Sequence, residues 1–494
     1  MRPTRRGLLL VGLVLLAALL RAALMGPYYG WEESDYGNLA MVRGVLESGF
    51  VHYDMSHLPL YYGVSAAVMA VTGDAVLAAV GVAFVCGLLT VALSVVLADR
   101  IGGQTLAWVV GLIAVLQPEL ALYSASSLRE PLYAALVLSC LLALTRERLA
   151  WASLFAGLAF LTRMDAVLVL GPVLAVHALG RPKRALRLLK ALLPLFLLVA
   201  GWSLYCWQMF ETWQFWGHAT AVNLETGGQD KTLLSGLGVV LGLLGQTLSA
   251  HVGWALVLGF PLGLLLVPWR SHSAQRSVAL AALLLLGFWL GIGMSAQHAP
   301  THNLYWKWLY GVLPPFILIS VMGLASLAPR LSRIGGKPVL VVALCLALGQ
   351  GTWAMLGEMR RQVQLSQALY KPQLELARWL ESNTPPQGHL LVDNIPGVWL
   401  DRRAHERELT SWFDVPVAPG NRGEMANWLR SERVSYVLWF QEDWTQAPRV
   451  APYLASPVVH DLGIVRLVPL QQESGYGWIF YRVDPIAKAL EGSQ

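Results

Sequence analysis

The chain has 494 residues, 56% hydrophobic and only 13% charged, with a formal net charge of +6. A soluble domain carries about a quarter charged residues, so this composition argues against a soluble enzyme and for a polytopic membrane protein. The basic excess sits in short clusters between apolar runs, which argues against nucleic acid as a partner, and the four cysteines lie inside apolar runs with no Cys-x-x-Cys spacing, which argues against a disulfide framework or structural zinc.

The first apolar run, Gly7–Leu24, follows Arg2, Arg5 and Arg6. Its core is too long for a signal peptide and lacks a small-residue cleavage site, so it reads as an uncleaved span with a cytoplasmic N-terminus. The chain then enters "GWEESDYGNLAMVRGVLESG" (30–49), where Glu32, Glu33 and Asp35 crowd the start of an amphipathic helix bounded by Ser34 and Gly49. Leu39, Val42, Val45 and Leu46 form its apolar stripe. A helix N-terminus favours ionised carboxylates, which makes this a suitable place for a general base; a solvated surface helix is the plainer reading of the same pattern.

Basic clusters at Arg146/Arg148, Arg181–Lys190, Arg270/Arg276 and Arg330–Lys337 assign those loops to the cytoplasm, whereas 26–74, 209–232 and 296–306 are poor in Lys and Arg and face outward. Eleven spans satisfy these constraints, near 8–25, 75–98, 105–122, 131–145, 149–162, 164–179, 191–208, 252–268, 277–295, 307–328 and 338–357. Parity makes "PLYYGVSAAVMAV" (59–71) and "LLSGLGVVLGLLGQTL" (233–248) helices at the outer surface, and turns "LTRMDA" (161–166) into an outer hairpin apex. Residues 358–494 hold no run long enough to span; "LELARWLESN" reads as a helix, and "HLLVDN", "VSYVLWF" and "WIFYRV" read as buried strands. The expected class is therefore mostly α, a polytopic membrane protein with a small C-terminal extracytoplasmic α/β domain. The expected divisions are 1–208 with first outer loop 26–74, 209–357 with outer loop 209–251, and 358–494.

More polar groups gather at the outer level: His57, Arg129 and Glu130 before Pro131, Arg163 and Asp165 at the hairpin apex, and His302, Lys307 and Tyr310 at the end of a later span. Taken singly, each reads as a snorkelling or topology-setting residue. Ionisable groups in or beside spans usually face a cavity, and this many on one side points to an outward cavity that handles an anion and moves a proton.

These motifs, in their order, resemble the GT-C class of integral-membrane glycosyltransferases, and among them the protein O-mannosyltransferase, aminoarabinose transferase and lipopolysaccharide galacturonosyl transferase group. "EESDYGNLA" resembles that family's acidic pair followed by Tyr and Ala, here Glu32-Glu33, Tyr36 and Ala40. "HLPLYY" (57–62) is similar to its Pro-Pro-Leu-Tyr element, "SLREPLYAALVL" (127–138) to its Ser-x-x-x-Glu-Pro element, "GLAFLTRMDAVLVLGP" (157–172) to its Gly-Leu-Ala-x-Leu-Thr-Arg/Lys signature, and "YWKWLYGVLPPFILI" (305–319) to its proline-containing later span. Two positions depart from the pattern: Glu32 stands where the family has Asp, and His57-Leu58-Pro59 where it has Lys and a proline pair.

The resemblance implies a GT-C fold and inverting transfer of a sugar from a polyprenyl-phosphate donor to a hydroxyl of a lipid, glycan or protein acceptor on the outer face of a bacterial inner membrane. Glu32 is then the expected base with Glu33 second; Arg163 and Lys307, then His57 and Arg129, meet the donor phosphate; Asp35, Glu130, Asp165, Tyr310 and His302 orient these groups or bind sugar and acceptor. No cofactor is assigned: Glu32, Glu33 and His57 are donor types for a divalent metal, but the carboxylates are few and loosely ordered. A transporter or flippase of lipid-linked sugars is the rival class, weakened by the lack of an internal repeat and by the one-sided charge. No Gly-rich phosphate cradle occurs in 358–494.

Overall fold

A computed structural model describes residues 5–28, 33–50, 57–211 without 181, 213, 253–267, 273–295 and 303–335. It also describes scattered positions between 349 and 383, and residues 388–392, 409–412, 415–440, 447–473 and 478–486. The chain forms two compact units, Met1–Tyr29 with Asn38–Gln364, and Gly30–Gly37 with Leu365–Gln494.

The first unit is helical. In chain order it contains α1 (Arg5–Tyr28), α2 (Glu33–Ser48, whose first residues group with the second unit), α3 (Leu60–Thr72), α4 (Ala75–Gly102), α5 (Gln104–Leu116) and α6 (Pro118–Leu122). Then come α7 (Glu130–Thr145), α8 (Leu149–Phe160), α9 (Asp165–Leu179), α10 (Arg184–Phe210), α11 (Trp254–Leu266), α12 (Ser273–Ser295) and α13 (Asn303–Gly335). Among the described residues four helices are long and apolar enough to cross a membrane: Gly7–Met25, Ala75–Gly102, Arg184–Met209 and Tyr310–Leu327. The expected span over 105–122 is not straight. It bends by 68° between α5 and the α6 segment, because Pro118 bars a helical conformation at Gln117, which is extended at φ −66°, ψ 123°. The helix expected over 59–71 is α3, closed by Gly73 at φ +71°. The stretch 233–248, most of the last expected span at 338–357 and most of the helix expected at "LELARWLESN" lie outside the described residues.

Helix packing uses small residues where backbones meet. A Cβ at Gly323 of α13 would lie 2.1 Å from the Gly259 carbonyl oxygen and 2.3 Å from the Gly263 amide of α11. The Gly259-x-x-x-Gly263 pair thus lets the two backbones touch, as association within lipid demands, and Phe260 stacks on Phe316 beside that contact with centroids 4.6 Å apart.

The second unit contains a six-stranded mixed sheet in the order β2-β1-β3-β6-β5-β4. Its strands are β1 (His389–Val392), β2 (Leu409–Ser411), β3 (Val434–Phe440), β4 (His460–Asp461), β5 (Val465–Glu473) and β6 (Trp478–Pro485). β1 runs parallel to β2 and β3, and the other pairings are antiparallel. Pro469 in β5 coincides with a register shift, where a strand tolerates a residue that cannot donate. A helix, α14 (Arg422–Ser431), sends Met425, Ala426 and Leu429 into a core with Val437, Trp439 and Leu467. The aromatic side chains there are core: Trp412 Nε1 donates to the Leu438 carbonyl at 2.8 Å, and Tyr481 Oη to that of Leu454 at 2.8 Å.

Candidate functional site

Three helix ends of the first unit converge. α7 starts at Glu130-Pro131, with proline in the first turn where its missing N–H costs nothing. α8 and α9 meet in a tight turn in which the Thr162 and Arg163 amides both donate to the Ala159 carbonyl, at 3.0 and 2.8 Å, and Asp165 then opens α9. The start of α3 is pinned to that turn by the Leu60 amide donating to the Leu161 carbonyl at 2.9 Å.

At this junction Arg163 lies between two carboxylates. Its Nε donates to Asp165 Oδ1 at 3.0 Å and its Nη1 to Glu130 Oε1 at 3.1 Å. The three side chains are 5%, 7% and 2% exposed, so the pairs are screened little by water. Tyr133 Oη donates to Asp165 Oδ2 at 2.9 Å, and the guanidinium sits 5.3 Å from the Tyr133 ring centroid. Arg129 Nε approaches Glu130 Oε1 at 4.0 Å from a more exposed position. Glu130 Oε2 is buried and has no hydrogen-bond donor among the described residues.

A second layer carries α2 and α3 to the same place. Tyr62 Oη donates to Asn38 Oδ1 at 2.7 Å, and Asn38 Nδ2 donates to the Ser127 carbonyl at 2.8 Å, which ties α2 and α3 to the loop before Glu130. His57 packs edge-on against Tyr62, with ring centroids 5.8 Å apart. Of the residues expected at the site, Arg129, Glu130, Arg163 and Asp165 thus form one cluster, and His57 joins it through Tyr62 and Asn38.

Tyr310 sits elsewhere. It is fully buried, its hydroxyl 2.8 Å from Ser124 Oγ and 3.5 Å from the Leu120 carbonyl, in a group that includes Arg21 of α1. Arg21 Nη2 donates to the Leu120 carbonyl at 2.9 Å and to that of Ala114 at 3.5 Å. Glu32 and His302 lie outside the described residues, as do the side chains of Glu33, Asp35 and Lys307, whose backbones are placed in α2 and α13. Among the described residues no three His, Cys, Asp or Glu side chains gather as metal ligands.

Sequence reasoning passed over Tyr133, Asn38 and Arg21. Tyr133 stands three positions after Glu130, which puts both on one helix face. Arg21 is a charge inside an apolar run, itself a reason to look for a partner.

No family model matches the sequence, and no curated protein matches it. The fold does have solved neighbours. ArnT from Cupriavidus metallidurans, solved bound to undecaprenyl phosphate, superposes with a TM-score of 0.63 at 14% identity, over 97% of this chain and 98% of that one. The apo form of the same protein gives 0.61 at 14% identity, over 95% and 97%. The oligosaccharyltransferase of Archaeoglobus fulgidus in its apo form gives 0.54 at 11% identity, over 87% of this chain and 69% of that one. These neighbours are GT-C glycosyltransferases, and the chain has the GT-C membrane fold.

Proposed function

We propose that this protein is an inverting glycosyltransferase that moves a sugar from a polyprenyl-phosphate donor to the hydroxyl of a lipid, glycan or protein acceptor at the outer face of a bacterial inner membrane, with residues 358–494 on that same side. The observation that carries the proposal is the buried Glu130–Arg163–Asp165 cluster at the junction of three helix ends, in a chain whose fold matches an enzyme solved with undecaprenyl phosphate.

The chemistry assigns the parts. The acceptor oxygen attacks the anomeric carbon as the carbon–oxygen bond to phosphate breaks, and the bonding pair leaves on the phosphate. A base must take the acceptor proton; Glu32 is assigned to it, with Glu33 as its neighbour, and a positioned base contributes about 10²- to 10⁴-fold. The leaving phosphate gains charge and needs fixed cations. Arg163 is held by two carboxylates, so its role is to position Asp165 and Glu130. Arg129, with Lys307 and His57, is the better partner for the phosphate, since among the described residues its one acidic contact is long at 4.0 Å. Glu130 Oε2, a buried acceptor with no donor among the described residues, suits a sugar hydroxyl. Asp35 and His302 are left to orientation around the substrates, whereas Tyr310, expected among them, is fully buried against Ser124 and Leu120 and takes no part. Glu32, Glu33 and His57 would supply the ligands if a divalent metal is required, and a chelator titration reads that directly.

The test is transfer in reconstituted vesicles from a labelled polyprenyl-phosphate sugar. Wild type releases the lipid phosphate and labels the acceptor; Glu32→Gln retains donor binding and loses transfer. Normal turnover in that variant removes Glu32 as the base. A flippase of lipid-linked sugars is the second reading, favoured by the 68° break between α5 and α6, a feature of transport proteins. It predicts that label crosses the bilayer with the sugar–phosphate bond intact.

A further inference from the structure

At the far end of α7 from Glu130, a separate group of charges gathers around the α7–α8 turn and the start of α10. Arg100 of α4 donates to the Thr145 carbonyl at 3.1 Å, and Glu147 accepts from Arg187 Nη2 at 2.7 Å while lying 3.5 Å from His177 Nε2. Glu147 thereby neutralises Arg187. Three further cations line the same open groove of about 710 Å³: Arg148, Lys183 and Lys190. Among the described residues none of the three has an acidic partner.

The groove also has an apolar wall. Trp151 is 55% exposed and Leu186 50% exposed, and both belong to helices that run from the groove as apolar segments, α8 and α10. Uncompensated cations, an exposed indole and the first turns of two apolar helices make up the boundary between water and hydrocarbon. Four non-glycine residues among those described adopt left-handed backbone, and two of them, Glu147 at φ 56° and Lys183 at φ 57°, lie in this groove. Such conformations cost energy and collect where shape is held for a purpose.

We propose that this groove binds an anionic phospholipid, its phosphate headgroup held by Arg148, Lys183 and Lys190 and its acyl chains lying along Trp151 and Leu186. The site is distinct from the Arg163 cluster. It rests on the chain being a membrane protein and not on the transfer reaction, so its test contains neither sugar donor nor acceptor.

Full-length protein is equilibrated with mixed micelles holding equimolar phosphatidylglycerol and phosphatidylcholine, and the retained lipids are read by native mass spectrometry. Wild type retains phosphatidylglycerol in preference. R148Q/K183Q/K190Q lowers that preference about tenfold or more, since each juxtamembrane cation contributes appreciably to anionic-lipid binding. The charge-preserving R148K/K183R/K190R keeps it, which separates loss of charge from loss of fold. Added inorganic phosphate leaves the preference standing, because the acyl chains are part of the contact. A wild type without preference, an unchanged ratio in the neutral triple variant, or abolition by free phosphate each overturns the proposal.

Discussion

Replacing Arg163 by methionine tests how the site is held together. The guanidinium makes two contacts near 3 Å to carboxylates that are 7% and 2% exposed. At an effective dielectric near 20, unit charges about 4 Å apart interact by about 4 kcal/mol, and that attraction offsets the desolvation of all three groups. Arg163→Met removes the attraction but leaves Asp165 and Glu130 buried without their shared cation. Breaking a buried pair from one side costs about 3–5 kcal/mol, a third or more of the stability of many domains. The triple variant R163M/E130Q/D165N has no charge left to strand, and the Tyr133 hydroxyl still finds a carbonyl oxygen at position 165. It should regain most of the loss, since neutral replacement of a buried triad is often tolerated. Denaturant unfolding in mixed micelles, followed by far-ultraviolet circular dichroism, measures both variants. A single variant within about 1 kcal/mol of wild type, or a triple variant no more stable than the single one, would refute the view of this cluster as a dry, mutually dependent unit.

Tyr133→Phe deletes the donor to Asp165 and should cost about 1.5–3 kcal/mol, as hydrogen bonds to charged groups do; it should also raise the donor KM more than the acceptor KM in the vesicle transfer assay. Gly323→Val places a side chain where a Cβ already meets the Gly259 carbonyl at 2.1 Å, so α11 and α13 must separate. Size-exclusion chromatography should show loss of the monodisperse species, whereas substitution at Gly287, where a Cβ meets nothing within 4 Å, leaves it intact.

Much of the helical unit was legible because long apolar runs form helices in every bilayer. The β strands followed the same logic when they were long and rich in β-branched and aromatic residues: "VSYVLWF" is β3, and "HLLVDN" and "WIFYRV" contain β1 and most of β6. β5 was not legible, since Pro469 argues against a strand and only the bulge in its pairing with β6 admits it. Nor was α14, although Asn421 accepts from the Glu424 amide at 3.1 Å and Glu424 reaches back to the Ala418 amide, a capping pattern visible in "NRGE". At the site, the charges of Arg163, Asp165 and Glu130 stood out as ionisable groups at helix ends. Their pairing did not, because Glu130 and Arg163 are 33 positions apart and only tertiary packing brings them together. The resemblance implies that Arg163 meets the phosphate, and neither its motif nor its charge reveals that two carboxylates already hold it.

The same limit explains Arg21, whose place becomes clear only with the break at Gln117. Ending α5 at Leu116 and restarting at Pro118 leaves carbonyls inside the bundle without helical donors, and in lipid each unpaired group costs several kcal/mol. Arg21 reaches the Ala114 and Leu120 carbonyls; Ser124 also donates to Leu120, at 2.5 Å, and pairs with Tyr310. The next residue, Gly311, lies against the Tyr133 ring so closely that a Cβ would sit 2.5 Å from Cε1. Tyr133 in turn holds Asp165. Contacts therefore run without a gap from the first span to Arg163, through the break that the proline imposes. Such a line carries energy only if its ends are coupled. Arg21→Met should destabilise by about 1–3 kcal/mol for each carbonyl it orphans, and Tyr133→Phe should cost less in that background than alone. In a double-mutant cycle read by unfolding, a coupling above about 0.5 kcal/mol marks one connected unit. Additive losses would mean that Arg21 serves the helix break alone and that Tyr310 and Gly311 merely fill space between two independent sites.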